Sequence, residues 1–369
     1  MKIGILTLGL SNNYGNILQA YALQTILRRM VGDDNVEIIS LPYIKKLPNR
    51  FIRPLVYLYR RLLLKLGLAD QFIRADPHIE EFLNNQRKHL APFVSRYLKL
   101  FEINSYKNIK YNDFDVIVVG SDQVWRPVYW SWQSNNIADA FLGFAEKWEI
   151  RRIAYAPSFG TDNWEFDKKQ TFECKRLIKL FDFVSCREEE GVRLCQEKLD
   201  YKNAVCVIDP TMLLKAEDYM QFVVRDTPSK NKLLVYMLDI DRDKQLLIDT
   251  IAEEKQLIPF SVFCKNRSPL SLEQWLQQFN DAEFIVTDSF HACVFSIIFK
   301  KPFIVYGNKE RGMSRFSTLL RKFHLEDRLL TSYSEYKELK IKSNISDASI
   351  ELENQRIRSI NWLKSSINQ

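Results

Sequence analysis

The feature that most narrows the folds open to this chain is a long alternation of short apolar runs with helical stretches. Runs at 2–8, 36–40, 114–120, 152–157, 182–186 and 204–208 read as strands of a first set. Runs at 232–238, 259–263, 283–287 and 302–306 form a second. Between the first two runs, Leu18, Ala22, Ile26 and Met30 recur every four positions, as in a helix over Ile17 to Met30. Such β-α repetition predicts parallel sheets and an α/β class. At 369 residues the chain is too long for one ordinary core. The polar, proline-containing stretch Arg225 to Asn231 separates the two sets. The expected organisation is therefore a first domain at 1–226, a second at 227–348, and a terminal helix at 349–369 that packs back on the first domain.

Residues 44–110 interrupt the alternation and read as a basic helical insertion. From Lys45 to Lys65 there are seven basic residues and no acidic one, within a net charge of +7. Taken as a helix, Ile52, Leu55, Val56, Tyr59, Leu62, Leu63 and Leu66 share one stripe, and Arg53, Arg60, Arg61 and Lys65 lie opposite. Two readings remain open for it: a helix packed on its own domain with a solvated basic back, or one lying on an anionic membrane surface.

Hydrophobic residues make up 46% and charged ones 27%, the balance of a soluble globular protein. Glycine is scarce at 11, and neither a G-x-G-x-x-G nor a Walker A pattern occurs. The six cysteines (174, 186, 195, 206, 264 and 293) show no metal-ligand spacing, and reduced thiols are expected, with Cys206 and Cys293 buried. The opening Met1 to Leu8 reads as a first strand, not a signal peptide, and no apolar run reaches the length of a membrane span. A cytoplasmic protein, at the inner face of the cell membrane if the basic segment binds there, is the expectation. No nucleic-acid partner is expected.

Chemistry is expected at the strand ends, because α/β proteins place ligands at the carboxyl edges of their sheets. Thr287-Asp288-Ser289-Phe290-His291 joins an apolar strand to an apolar helix. His291 thus sits at a sheet edge and near a helix N-terminus, where N–H groups favour anions. It is one of four histidines and the one so placed; the alternative is a histidine that satisfies a buried polar network. After the first strand comes Asn12-Asn13-Tyr14-Gly15-Asn16, with Gln19 on the following helix. After the run 114–120 comes Ser121-Asp122-Gln123-Val124-Trp125, polar groups suited to hydroxyls and an indole of the kind that stacks on sugars. A helix N-cap at Ser121 or Asp122 is an equal reading. Ser158-Phe159-Gly160 ends another run. Arg187 emerges at a strand end and suits a carboxylate or phosphate, or else pairs with Glu188, Glu189 or Asp182. Asp209-Pro210-Thr211 reads as structural. Arg311 and Arg315 follow the run 302–306 and could clamp an anion beside His291.

Taken in order, these stretches resemble the polysaccharide pyruvyl transferase family over nearly the whole chain. The matching pieces are Asn13-Tyr14-Gly15-Asn16 with Leu18 to Gln24, Gly120 to Trp125, Ser158-Phe159-Gly160, Arg187-Glu188, Asp209-Pro210-Thr211, Asp288 to His291, Lys301-Pro302-Phe303 and Arg315-Phe316. The resemblance implies a GT-B-like fold, two Rossmann-like domains facing across a cleft, with the acceptor on the first and the donor on the second. It implies transfer of pyruvate from phosphoenolpyruvate to a sugar or lipid-linked oligosaccharide, forming a cyclic ketal, with phosphoenolpyruvate as co-substrate and no tightly bound cofactor. His291 is then the acid/base residue, and Arg187, Ser289, Arg311 and Arg315 hold the donor. Asn13, Tyr14, Asn16, Gln19, Ser121, Asp122, Gln123 and Trp125 would meet the acceptor. No metal ligand is assigned, and sequence leaves a divalent-metal requirement and the oligomeric state open.

One position departs from the pattern: many members carry arginine two residues before the histidine, where this chain has Ser289. Arg311 or Arg315 is expected to supply that charge. Two other function classes fit the same pattern. One is a glycosyltransferase using a nucleotide sugar, with Asp239, Asp241 or Glu310 for the ribose. The other is a non-catalytic sugar-binding protein.

Overall fold

Two parallel sheets carry the chain in the computed structural model, which describes residues 1–41, 55, 58, 77–134, 136–223, 230–263, 267–307, 313–341 and 343–369. Among these residues the first sheet has strands β1 (Ile3–Leu6), β2 (Val36–Ser40), β3 (Leu100–Glu102), β4 (Val116–Val119), β5 (Arg151–Ala154), β6 (Phe183–Cys186) and β7 (Val205–Cys206). Their spatial order is β3-β2-β1-β4-β5-β6-β7. In the central register, Ile5 lies opposite Ile38 on one side and Val118 on the other. These strands are apolar on both faces because helices cover both sides of a parallel sheet. The strand order reverses between β1 and β4, and the crevice at such a switch point is where ligands bind in open α/β sheets.

The second sheet holds β8 (Lys232–Tyr236), β9 (Ile258–Ser261), β10 (Phe284–Thr287), β11 (Phe303–Tyr306) and β12 (Leu329–Leu330) in the order β12-β11-β10-β8-β9. Its switch point lies between β8 and β10, and β10 leads directly into the helix that bears His291. The chain is thus built as two parallel-sheet α/β domains, the GT-B-like layout expected for it.

Among the elements that join the halves are the first and last helices. Helix α1 (Tyr14–Val31) starts at Asn13, whose Oδ1 accepts from the backbone N–H of Asn16 at 3.1 Å and caps it. Its first residue reaches the second domain: Tyr14 stacks on Trp275 at 5.4 Å and donates its hydroxyl to the Leu270 carbonyl at 2.8 Å. The last helix, Ile345–Asn368, returns to the first domain, with Arg356 donating to the carbonyls of Met212 (3.0 Å) and Leu214 (3.1 Å).

The insertion holds a helix at Pro77–Tyr97 and then β3, a strand that the sequence reading did not anticipate. The basic segment Lys45 to Lys65, apart from residues 55 and 58, lies outside the described residues, as do Arg311, Cys264 and most of the linker 225–231. No helix among the described residues is long and apolar enough to cross a membrane. Among the described cysteines there is no disulfide. Cys293 is buried, but Cys206 is only half-buried; it stands on the short edge strand β7, and Lys322 of the second domain donates to its Sγ at 3.3 Å.

Candidate active site

His291 is the second residue of the helix Phe290–Ile298, which follows β10 after a tight polar turn. Thr287 shapes that turn: its hydroxyl donates to the Tyr236 carbonyl at 2.9 Å and accepts from the N–H of Ser289 at 2.9 Å. The turn aims the imidazole at the first domain. There the ring lies against Gly15, so close that a Cβ at that position would fall 2.1 Å from Nδ1. Such contact explains a glycine inside α1, where it is otherwise unfavourable. The opposite nitrogen, Nε2, points toward Asp209 Oδ2 at 3.8 Å, too far for a hydrogen bond but well within electrostatic reach. Nε2 is buried and has no hydrogen-bond partner among the described residues.

Arg187 sits at the end of β6, 4% exposed. Its Nε donates to Glu188 at 2.9 Å and its Nη1 to Asp209 Oδ2 at 2.9 Å, while Asp122 lies 3.6 Å from Nη1. The guanidinium also covers the Phe290 ring at 4.2 Å. Of the pairings open from sequence, Glu188 is realised; Asp182 instead accepts from the backbone N–H of Arg152. Nη2 of Arg187, like Nε2 of His291, is buried and makes no hydrogen bond among the described residues.

Asp209 is the residue that sequence reasoning missed. It was read as structural, and it does cap the turn after it, its Oδ1 accepting from the N–H (3.0 Å) and hydroxyl (2.6 Å) of Thr211. Its other oxygen joins Arg187 and His291. The signal was available, since Asp209 also stands at the end of a predicted strand.

Charges in the cluster perturb one another. Burial holds the His291 imidazole below its ordinary pKa, with Asp209 and Asp122 opposing and Arg187 and Arg315 adding to the effect. Burial raises the Asp209 carboxyl, but His291 and Arg187 outweigh it and bring the group below the usual range. Burial works against the Arg187 charge, and Glu188, Asp209 and Asp122 together raise its pKa above normal. Arg315 is lowered by burial and by the Arg187 charge. Perturbed groups gathered at a sheet edge are the pattern of functional sites.

Arg315 lies on the helix Met313–Lys322 of the second domain and lines two recesses. One, a shallow recess, also involves Arg187, Asp209, Phe290, Thr318 and Lys322. The other is lined by Ser158, Thr161, Glu188, Glu190 and Ser314 among others. Ser289 is beside the Tyr236 hydroxyl.

The remaining predicted residues form the floor. Gln19 is fully buried: its amide donates to Thr7 Oγ1 (3.0 Å) and Asn16 Oδ1 (3.0 Å), and its carbonyl accepts from the N–H of Ser121 at 2.9 Å. The Ser121 hydroxyl donates to the Ala156 carbonyl at 2.7 Å, and the Asp122 carbonyl accepts from the N–H of Ser158 at 2.8 Å. These bonds tie the loops after β1, β4 and β5 into one rigid rim. No helix starts at Ser121 or Asp122, so neither is an N-cap. Gln123 lies beside Gly160 and Arg126. Trp125 is packed rather than presented: it is fully buried, stacked on Phe141 at 4.9 Å and tilted against Phe159 at 5.3 Å, its Nε1 donating to Ala140. Both faces are taken, so no sugar stacks on the indole in this conformation. Among the described residues no cluster of three or more His, Cys, Asp or Glu side chains could hold a metal ion.

A buried imidazole, a buried guanidinium and a carboxylate, held where two parallel-sheet domains meet, define a two-domain α/β protein with a charged polar site. The chain matches the family model "Polysaccharide pyruvyl transferase" over residues 13–310 and belongs to that family. No curated protein matches it. Solved structures with a similar fold include UDP-GlcNAc 2-epimerase from Methanocaldococcus jannaschii, 14% identical with a TM-score of 0.45, covering 96% of this chain and 93% of that one. A putative UDP-N-acetylglucosamine 2-epimerase from Listeria monocytogenes is 9% identical, TM-score 0.48, with 100% and 97% covered. The β-glucosyltransferase of phage T4 is 13% identical, TM-score 0.42, with both chains wholly covered.

Proposed function

We propose that this transferase moves pyruvate from phosphoenolpyruvate to a sugar of a surface polysaccharide or its lipid-linked precursor, closing a cyclic ketal. The observation that carries the reading is the pair of unsatisfied buried nitrogens, Nη2 of Arg187 and Nε2 of His291, that meet in one site. A buried donor left without a partner costs free energy unless a ligand supplies the acceptor. An anion with carboxylate and phosphate groups would do so, with Arg315 as a second guanidinium and the helix start at Phe290 adding N–H groups. Ser289 would then contribute only neutral polarity to the donor, and Arg315 the charge.

In the reaction, C3 of the enol takes a proton from water, which a released hydroxyl proton later replaces, and C2 becomes an oxocarbenium-like centre held by the carboxylate's cationic contacts. One sugar hydroxyl adds to C2 and gives up its proton. The C2–O bond to phosphate breaks, and the second hydroxyl closes the ring with loss of its own proton. Of the two protons released, one balances the new methyl group and the other leaves with phosphate. Burial keeps His291 largely neutral before binding, which suits a group that must first accept a proton. The fixed guanidinium charges stabilise the anions in place, without reorganising water. The polar recess with Ser158, Glu188 and Glu190 is offered as the acceptor side, with Asn13, Tyr14, Asn16, Gln19, Ser121, Asp122 and Gln123 as the scaffold of the neighbouring loops. The protein would work in the cytoplasm, its basic segment Lys45 to Lys65 meeting anionic lipid or a lipid pyrophosphate. Vesicles with anionic lipid should then retain the wild type more than a variant with those charges removed.

A thermal-shift panel tests the donor. Phosphoenolpyruvate should raise the melting temperature, since a ligand at 100 times its Kd stabilises by about 2.7 kcal/mol. Nucleotide sugars should leave it unmoved. Stabilisation by a nucleotide sugar and none by phosphoenolpyruvate would favour a glycosyltransferase instead.

A further inference from the structure

We propose that Asp209 is a positioning residue of this site, one carboxylate that both aims the Arg187 guanidinium and stabilises the imidazolium form of His291 through Nε2. The geometry is its own argument. The Nδ1 side of the ring is pressed against Gly15, which leaves Nε2 as the nitrogen able to exchange a proton with a ligand. Asp209 Oδ2 is 3.8 Å from that nitrogen and 2.9 Å from Nη1 of Arg187. The carboxylate cannot swing away, because Thr211 holds Oδ1 with two hydrogen bonds. It is 1% exposed, so no solvent weakens either contact.

Among the described residues, four charged groups act on the imidazole. The first domain supplies Asp209 after β7, Asp122 after β4 and Arg187 after β6, and the second supplies Arg315. Two guanidinium groups oppose an imidazolium and two carboxylates favour it. Asp209, sharing its oxygen with Arg187, sets that balance and links the donor's arginine to the proton carrier. The proton itself stays on Nε2 between its uptake from an attacking hydroxyl and its release to the departing phosphate. Asp209 remains ionised throughout.

The role assigned to the proton rests on the pyruvyl-transfer reading, whereas the electrostatic link does not, so the test begins without substrate. In protein carrying isotope-labelled histidine, the His291 resonance is followed by NMR against pH in the wild type and in Asp209→Asn. Loss of a carboxylate this near should move the His291 titration down by about one pH unit, roughly tenfold in proton affinity. In turnover, the matching limb of the kcat profile should move with it, and the KM for phosphoenolpyruvate should rise several-fold. A merely structural carboxylate would lower activity without moving either titration. An unmoved His291 titration in Asp209→Asn would overturn the proposal. If that variant does not fold, Thr211→Val keeps the charge but removes the hydroxyl strut: a several-fold rise in donor KM supports the proposal and an unchanged KM overturns it. A titration that moves in a protein with no pyruvyl transfer would support the link while counting against the reaction.

Discussion

Gly15 and His291 constrain each other across two domains, and each carries a prediction. Because a Cβ at position 15 would fall 2.1 Å from Nδ1, Gly15→Ala must displace the ring from its seat and change its distance to Asp209. A displacement of about 1 Å in a reacting group can cost roughly a hundredfold in rate. The variant should therefore keep a cooperative melt but lose most of its turnover, and a wild-type rate would show that the contact is unimportant. His291 also makes the protein sensitive to acid. Its folded pKa lies below the unfolded value of about 6.5, so the unfolded chain takes up the proton first. Its contribution to stability is complete above about pH 6.5 and is lost as pH falls through the window below it. Between about pH 7 and 5, His291→Asn should lose less melting temperature than the wild type; parallel losses would contradict the burial argument. At this scale, sequence identified His291 and Arg187 from their places at strand ends. It passed over Asp209, because an Asp before Pro-Thr is explained well enough by a capped turn. The glycine in the first turn of α1 was a clue to close approach, but nothing in sequence said what approached it.

The contact of α1 with the second domain is the element whose loss can be measured most cleanly. Tyr14→Phe keeps the stack on Trp275 and removes only the hydroxyl, which leaves the Leu270 carbonyl without its donor. The cost should be about 1 kcal/mol, or a melting point lower by about 1–2 °C. Trp275→Ala removes a fully buried indole and should cost about 3–5 kcal/mol. Equal losses would mean that the hydrogen bond, not the stacking, joins the domains. Ten of the described strands were legible because each lies within an apolar run between helical stretches, including the two-residue β7 inside the run 204–208. β3 and β12 were not, since no such run was read around either short piece. Both are edge strands whose place is fixed by a neighbour, Leu100 pairing with Ile38 and Leu330 with Tyr306. The rim built by Gln19 and Ser121 was also invisible, because its hydrogen bonds join residues about a hundred positions apart.

Across the whole molecule, the first domain contributes Arg187, Asp209 and Gly15, and the second contributes His291, Phe290 and Arg315. The proposed reaction therefore depends on the domains meeting, since these groups come from both halves. Arg187, Asp209 and His291 are buried and Arg315 is half-buried, which gives the low-dielectric setting in which fixed charges act most strongly. The central claim is that this setting serves pyruvyl transfer, and one measurement reaches it most directly. The purified protein is incubated with phosphoenolpyruvate and a panel of sugar and lipid-linked acceptors, and the products are examined by mass spectrometry and phosphate release. The account predicts an acceptor that gains one pyruvyl ketal for each phosphate set free, and loss of both signals in His291→Ala. Ketal formation that persists at the wild-type rate in His291→Ala, or transfer of a sugar from a nucleotide sugar in place of pyruvate, would contradict it.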